Sequence, residues 1–107
     1  MKNFYTEITT LFQKEMVEQL AANKRKGDRA GWLSCEPMQL VLEMYYHTGK
    51  LQEAVKNNDT NLIREYSADV ANIAMMVLDK TVGLMPVEDQ AFLEKPNTQW
   101  TKNIVVE

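Results

Sequence analysis

Two polar series in this sequence have the spacing that gathers side chains on one side of a helix. Glu43, His47, Lys50 and Glu53 follow at intervals of four, three and three, and Glu65, Asp69 and Asn72 at four and three. Residues three and four apart are neighbours on a helical surface, so each series forms a stripe. Two facing stripes of this composition can build a polar site inside a helical bundle. The competing reading is a solvated face, with Glu43, Lys50 and Glu53 pairing along the helix and His47 an ordinary surface histidine. Asp69 stands apart because its setting, from Ala68 to Met76, is otherwise apolar. Its carboxylate is expected to be partly buried, and a buried carboxylate needs a partner. That partner is either a ligand or a structural hydrogen bond with Asn72.

A second set is basic and aromatic. The segment Lys24-Arg25-Lys26-Gly27-Asp28-Arg29 can hold phosphates, and Trp32 can stack on a base. The alternatives are a solvated helix end and a tryptophan that plugs the core. The sequence contains no Walker loop, glycine-rich dinucleotide fingerprint, zinc spacing or nucleophile elbow. Cys35 and His47 have no evident third partner, which argues against a cysteine nucleophile.

The elements that would position these residues are helical. Phe4, Ile8, Leu11, Phe12, Met16 and Leu20 mark one face of a helix from about Asn3 to Lys26, with Lys24–Lys26 in its last turn and Gly27 ending it. Residues 27–35 read as a loop. Ser34 is a candidate N-cap for a second helix over 35–56, with Pro37 early enough to be tolerated. Leu40, Val41, Met44, Leu51 and Val55 form its expected buried stripe. Gly49 lies inside it at a cost of ~1 kcal/mol against Ala, which suggests close packing or room for a ligand. After the turn Asn57-Asn58-Asp59-Thr60, a third helix is expected over 61–82, capped by Asp59 or Thr60 and stopped by Gly83. So short a turn makes the two helices antiparallel neighbours. Residues 1–83 then form a helical domain, and 84–107 an extension with a short helix over 87–95 and an apolar arm at Ile104-Val105-Val106. The expected fold class is all-α: three main helices and a C-terminal tail.

Bulk properties narrow the functional classes. The chain has 107 residues and a net charge of −3, which does not favour nucleic-acid or membrane-surface binding. One cysteine allows no internal disulfide, so a cytoplasmic location is expected. The N-terminus lacks the apolar core of a signal peptide, and no apolar run is long enough to span a membrane. Met38, Met44, Met75 and Met76 are candidates for a core between subunits, which predicts at least a dimer.

Three segments carry a resemblance: Gly27-Asp28-Arg29-Ala30-Gly31-Trp32, Leu51-Gln52-Glu53-Ala54, and Glu65 through Met76 with Ala68-Asp69-Val70-Ala71-Asn72. Over residues 24–83 the chain resembles the short MazG-like nucleotide pyrophosphohydrolases common in bacteria and phages. The resemblance implies an all-α fold whose helices pack into four-helix bundles on oligomerisation. It also implies hydrolysis of nucleoside triphosphates to monophosphate and pyrophosphate. In that family Mg²⁺ is held by Glu-Glu-x-x-Glu on one helix and Glu-x-x-Asp on the next. Here the first motif falls on Tyr46-His47-Thr48-Gly49-Lys50 and keeps no glutamate, and the second falls on Tyr66-Ser67-Ala68-Asp69 and keeps only Asp69. Glu65 is one position early, which turns its side chain by roughly 100° about the helix. Asn72 keeps its place.

One carboxylate with a histidine and a lysine is a poor magnesium site. Lysine and histidine can instead contact phosphate oxygens directly. The expectation is therefore a non-catalytic, nucleotide-binding pseudoenzyme without a cofactor or catalytic residues. Its site would comprise Lys50, His47, Tyr46, Tyr66, Asp69, Asn72, Trp32 and Arg29. If phage-encoded, it would sequester a host signalling nucleotide in the host cytoplasm. The alternatives are a Mg²⁺-dependent pyrophosphohydrolase with a rearranged site drawn from Asp69, Glu65, Glu43 and Glu53, and a structural oligomerisation module.

Overall fold

The computed structural model describes residues 3–26 and 28–86. Among them every regular element is helical, and none is long and apolar enough to cross a membrane. The elements are α1 (Phe4–Ala22), a 3₁₀ turn (Lys24–Lys26), α2 (Asp28–Leu33), α3 (Pro37–Lys56) and α4 (Thr60–Thr81). The expected short helix over 87–95 and the apolar arm at 104–106 lie outside the described residues.

Local signals explain most boundaries. Asn3 caps α1, its side-chain oxygen accepting from the Tyr5 and Thr6 backbone N–H groups. Asp59 caps α4 by accepting from the Leu62 N–H at 3.2 Å. Gly83, at φ 87°, takes the left-handed turn after α4 and donates its N–H to the Leu78 carbonyl. The predicted Ser34 cap is corrected: α3 starts after Glu36, whose N–H donates to the Gln39 side chain, with Pro37 in the first turn. Ser34 instead bonds back to the Ala30 carbonyl at the end of α2.

Three further expectations need correction. Residues 28–33, predicted as loop, form α2, whose turn folds Trp32 and Leu33 into the core. Lys24–Lys26 lie past the end of α1, because Asn23 closes that helix on the Gln19 and Ala21 carbonyls. On α3 the buried positions are Leu40, Glu43, His47 and Ala54, whereas Val55 is 53% exposed. One residue is roughly 100° of helix rotation, so burying Ala54 turns Val55 outward.

α3 and α4 form the central hairpin, and α1 lies against α4. The core comprises Trp32, Leu33, Cys35, Leu40, Ile73 and Met76, with Leu20, Met44, Met75 and Val77 packed on it. Three of the four methionines expected between subunits thus serve the chain's own core, and only Met38 points outward. The front half of α1 carries the exposed surface instead: Phe4 is 63% exposed, and Ile8, Leu11 and Phe12 are also exposed. Their stripe continues to Met16 and Leu20, but only those two reach partly buried positions.

Candidate functional site

α3 and α4 are in register such that parts of the two polar stripes meet. Glu43 and His47 are buried on α3, opposite Asp69 and Asn72 on α4. The C-terminal half of α1 closes over them with Gln19, Leu20 and Asn23, and the turn after it adds Lys26. The solvated-face reading therefore holds only for the outer end of the stripe, where Glu53 is exposed. Glu65 is exposed as well, although its charge is close enough to disfavour ionisation of Asp69.

His47 is the hinge of the cluster. Its Nδ1 is 3.0 Å from the Glu43 carbonyl oxygen and 3.4 Å from Glu43 Oε1. Its Nε2 is 3.7 Å from Asp69 Oδ2. Burial lowers the His47 pKa, and the hydrogen bond to the Glu43 carbonyl opposes that shift. A neutral ring that donates from Nδ1 to the carbonyl leaves the Nε2 lone pair towards Asp69. Burial also pushes both carboxyls up, Glu43 to about 7 and Asp69 to about 6. Lys26 and Lys50 pull both values back, as does a hydrogen bond from Gln19 for Asp69.

The hydrogen bonding of this cluster is incomplete. The Asn72 amide donates to the Met16 carbonyl at 3.0 Å, not to Asp69. Asn72 Oδ1 and Glu43 Oε2 are buried with no hydrogen-bond partner among the described residues. An orphaned buried acceptor costs about 1–3 kcal/mol, and more when charged.

Lys50 sits one turn further along α3, partly buried. Its ammonium lies 4.6 Å from the Tyr46 ring centroid and 5.5 Å from that of Tyr66, within cation–π range. Among the described residues no carboxylate lies within ion-pair distance of it. The Tyr46 ring meets His47 edge-on at 5.5 Å. The structure thus brings together Tyr46, His47, Lys50, Tyr66, Asp69 and Asn72.

Arg29 and Trp32 go elsewhere. Arg29 forks onto Asp79, with Nε to Oδ2 and Nη2 to Oδ1, both 2.8 Å. Trp32 Nε1 donates to Asp79 Oδ2 at 2.8 Å, and the Leu84 N–H to Oδ1 at 3.0 Å. Arg29 also donates to the Met85 and Pro86 carbonyls. These bonds fix α2 and residues 84–86 to the end of α4, and Trp32 is buried as a core tryptophan. Sequence reasoning missed Asp79, whose only signal was an acidic residue in the last turn of a helix, where the dipole disfavours it. It also missed Gln19 and Asn23, whose signal was their position on the Met16–Leu20 side of α1.

A divalent ion of the kind the resemblance implies does not fit these side chains. Among the described residues no group of three or more His, Cys, Asp or Glu is arranged to hold a metal ion. Glu43 and Asp69 lie 3.4 and 3.7 Å from the two ring nitrogens of His47, a histidine-centred cluster short of the oxygen ligands that Mg²⁺ takes. Cys35 is buried, with its thiol against the Gly31 carbonyl and its pKa raised by burial, so it is no nucleophile. No protein-family model, curated protein or solved structure matches the chain.

Proposed function

We propose that this protein binds a nucleotide or nucleotide-derived signal without cleaving it, on a scaffold related to the MazG-like pyrophosphohydrolases. One observation carries the reading: the ammonium of Lys50, partly buried between the Tyr46 and Tyr66 rings, with no described carboxylate paired to it. A cation in that position suits a phosphate oxygen, and the flanking rings suit a base or ribose. The same ammonium, whose charge reaches Glu43 and Asp69, would repel a metal cation held there and so suits metal-assisted hydrolysis poorly.

Calorimetric titration with a panel of nucleoside mono-, di- and triphosphates, with and without Mg²⁺, tests the reading. Metal-independent binding without pyrophosphate release is expected. Lys50→Glu should abolish that binding and leave the helical circular dichroism unchanged, at a stability cost of about 1–2 kcal/mol from the lost cation–π contacts. Release of pyrophosphate by the wild type in Mg²⁺ overturns the reading in favour of a hydrolase. Unaltered binding by Lys50→Glu moves the site away from this pair of rings.

The protein is further proposed to act as a homo-oligomer. The support is the bare front half of α1, because contiguous apolar patches of this kind usually mark an interaction surface. Light scattering should return at least a dimer at micromolar concentration, and Leu11→Glu should lower the mass without unfolding the chain. A monomeric wild type removes this part of the proposal.

A further inference from the structure

The cavity enclosed by α1, α3 and α4 has Gln19, Asn23 and Lys26 on its α1 side and two unpaired acceptors on its α3 and α4 side. Glu43 Oε2 and Asn72 Oδ1 have no hydrogen-bond partner among the described residues, and the two residues are only 2% and 3% exposed. The Asn72 amide nitrogen is turned to the Met16 carbonyl, which leaves Oδ1 on the cavity side. His47, with Nδ1–H on the Glu43 carbonyl, contributes a further lone pair at Nε2 beside Asp69. The cavity offers about 20 Å³ to the centre of a water-sized sphere, and roughly 10–15 Å³ is enough to seat one such group. Leu20, Ile73 and Met76 close its apolar side.

These constraints select a chemical class. The occupant is no larger than water at the point of contact, and it must donate at least twice. At Glu43 Oε2 and Asn72 Oδ1 a phosphate, carboxylate or carbonyl oxygen would set lone pairs against lone pairs. An amino group meets both demands, because it is water-sized and carries two or three N–H donors.

We propose that this cavity is an amino-group subsite, in which a ligand's primary amino group donates to Glu43 Oε2 and Asn72 Oδ1. The assignment of that ligand rests on the nucleotide reading given above. The group is then the exocyclic amine of a base such as adenine or cytosine, with the phosphates on Lys50. The keto counterparts, hypoxanthine and uracil, present an acceptor at the same place. A site built to accept hydrogen bonds discriminates strongly against an analogue that lacks the donors.

The experiment has two arms. The chain has one histidine, so the imidazole signals of His47 need no assignment. The first arm titrates ammonium chloride at constant ionic strength and follows the His47 ring by NMR, with tetramethylammonium chloride as the control that cannot donate. A saturable shift is expected with ammonium alone. It should disappear in Glu43→Gln, whose own amide replaces an acceptor with a donor, and in Asn72→Leu, with circular dichroism confirming the fold of each. The second arm compares adenine with hypoxanthine nucleotides, and cytosine with uracil nucleotides, by calorimetry. Roughly tenfold or tighter binding of the amino base is expected. Absence of the ammonium effect in the wild type overturns the subsite and leaves the cavity holding water only. Equal affinity for amino and keto bases overturns it as a base-reading site. If neither nucleotide binds while ammonium still shifts His47, the amino subsite stands and the nucleotide reading fails.

Discussion

Asp69 and Asp79 lie ten residues apart on the same helix, both largely removed from solvent, and their chemistry diverges. Asp79 accepts two bonds from the Arg29 guanidinium, one from the Trp32 indole and one from the Leu84 N–H. Those donors, Arg29 foremost, hold its carboxyl well below the usual range. Asp69 has a hydrogen bond from Gln19 and a 3.7 Å approach to His47, and burial takes it up to about 6. Burial by itself disfavours charge, and only a full set of donors reverses the sign. The clasp around Asp79 therefore stabilises the fold. The cluster around Asp69 and Glu43 is left incomplete, with Glu43 Oε2 and Asn72 Oδ1 unpaired among the described residues.

The largest effect should come from breaking the complete region. Asp79→Ala removes four bonds and takes the carboxylate away from the partly buried Arg29 and the Trp32 indole. A cost of about 3 kcal/mol is expected in urea unfolding, at the low end for a broken buried pair because Arg29 retains some solvent. A cost below about 1 kcal/mol would remove the contrast between the two regions.

The incomplete region should respond with the opposite sign. Glu43 and Asp69 have folded pKa values above those of the free groups, so the folded chain binds more protons than the unfolded chain between about pH 4 and 7. Stability contributed by these two carboxyls therefore falls as pH rises through that window. Glu43→Gln should remove about half of the fall and stabilise the protein by roughly 2 kcal/mol at pH 8, with Asp69→Asn giving slightly less. His47 works against this trend. Its lowered pKa makes the unfolded chain bind more protons below pH 6.5, so its contribution to stability falls on acidification. The contribution of Asp79 is also lost on acidification, but only as pH drops below the normal aspartate range. A Glu43→Gln variant with the same pH–stability curve as the wild type would contradict the displaced carboxyl.

The smallest effect sharpens the comparison by testing a position in neither region. Gly49 lies inside α3 and is exposed, and a Cβ there would meet nothing within 4 Å. Gly49→Ala should stabilise the isolated chain by about 0.5–1 kcal/mol through helix propensity alone. If it also weakens nucleotide binding or lowers the oligomeric mass, the glycine serves a contact outside the chain. Unchanged binding and mass would make it neutral in both.

The sequence alone was enough to place the three long helices, because apolar spacing and the signals at Asp59 and Gly83 act through their own backbone neighbourhood. It also placed Glu43 with His47, and Asp69 with Asn72, since helical spacing needs no tertiary information. It could not show which part of each stripe faces inward. Val55 against Ala54, and Glu53 against Glu43, were decided by how α3 lies on α4. The short helix α2 was hidden for the same reason. Its six residues give little helical signal on their own, and it is held by bonds from Arg29 and Trp32 to an aspartate 50 and 47 residues away. The bare front half of α1 carries the same apolar spacing as its packed rear half, so only the placement of α1 against α4 separates them. Periodicity is a property of the local backbone and can be read from one sequence. Burial, orphaned acceptors and displaced pKa values depend on elements that meet only when the chain has folded, and here those elements come from α1, α3 and α4 together.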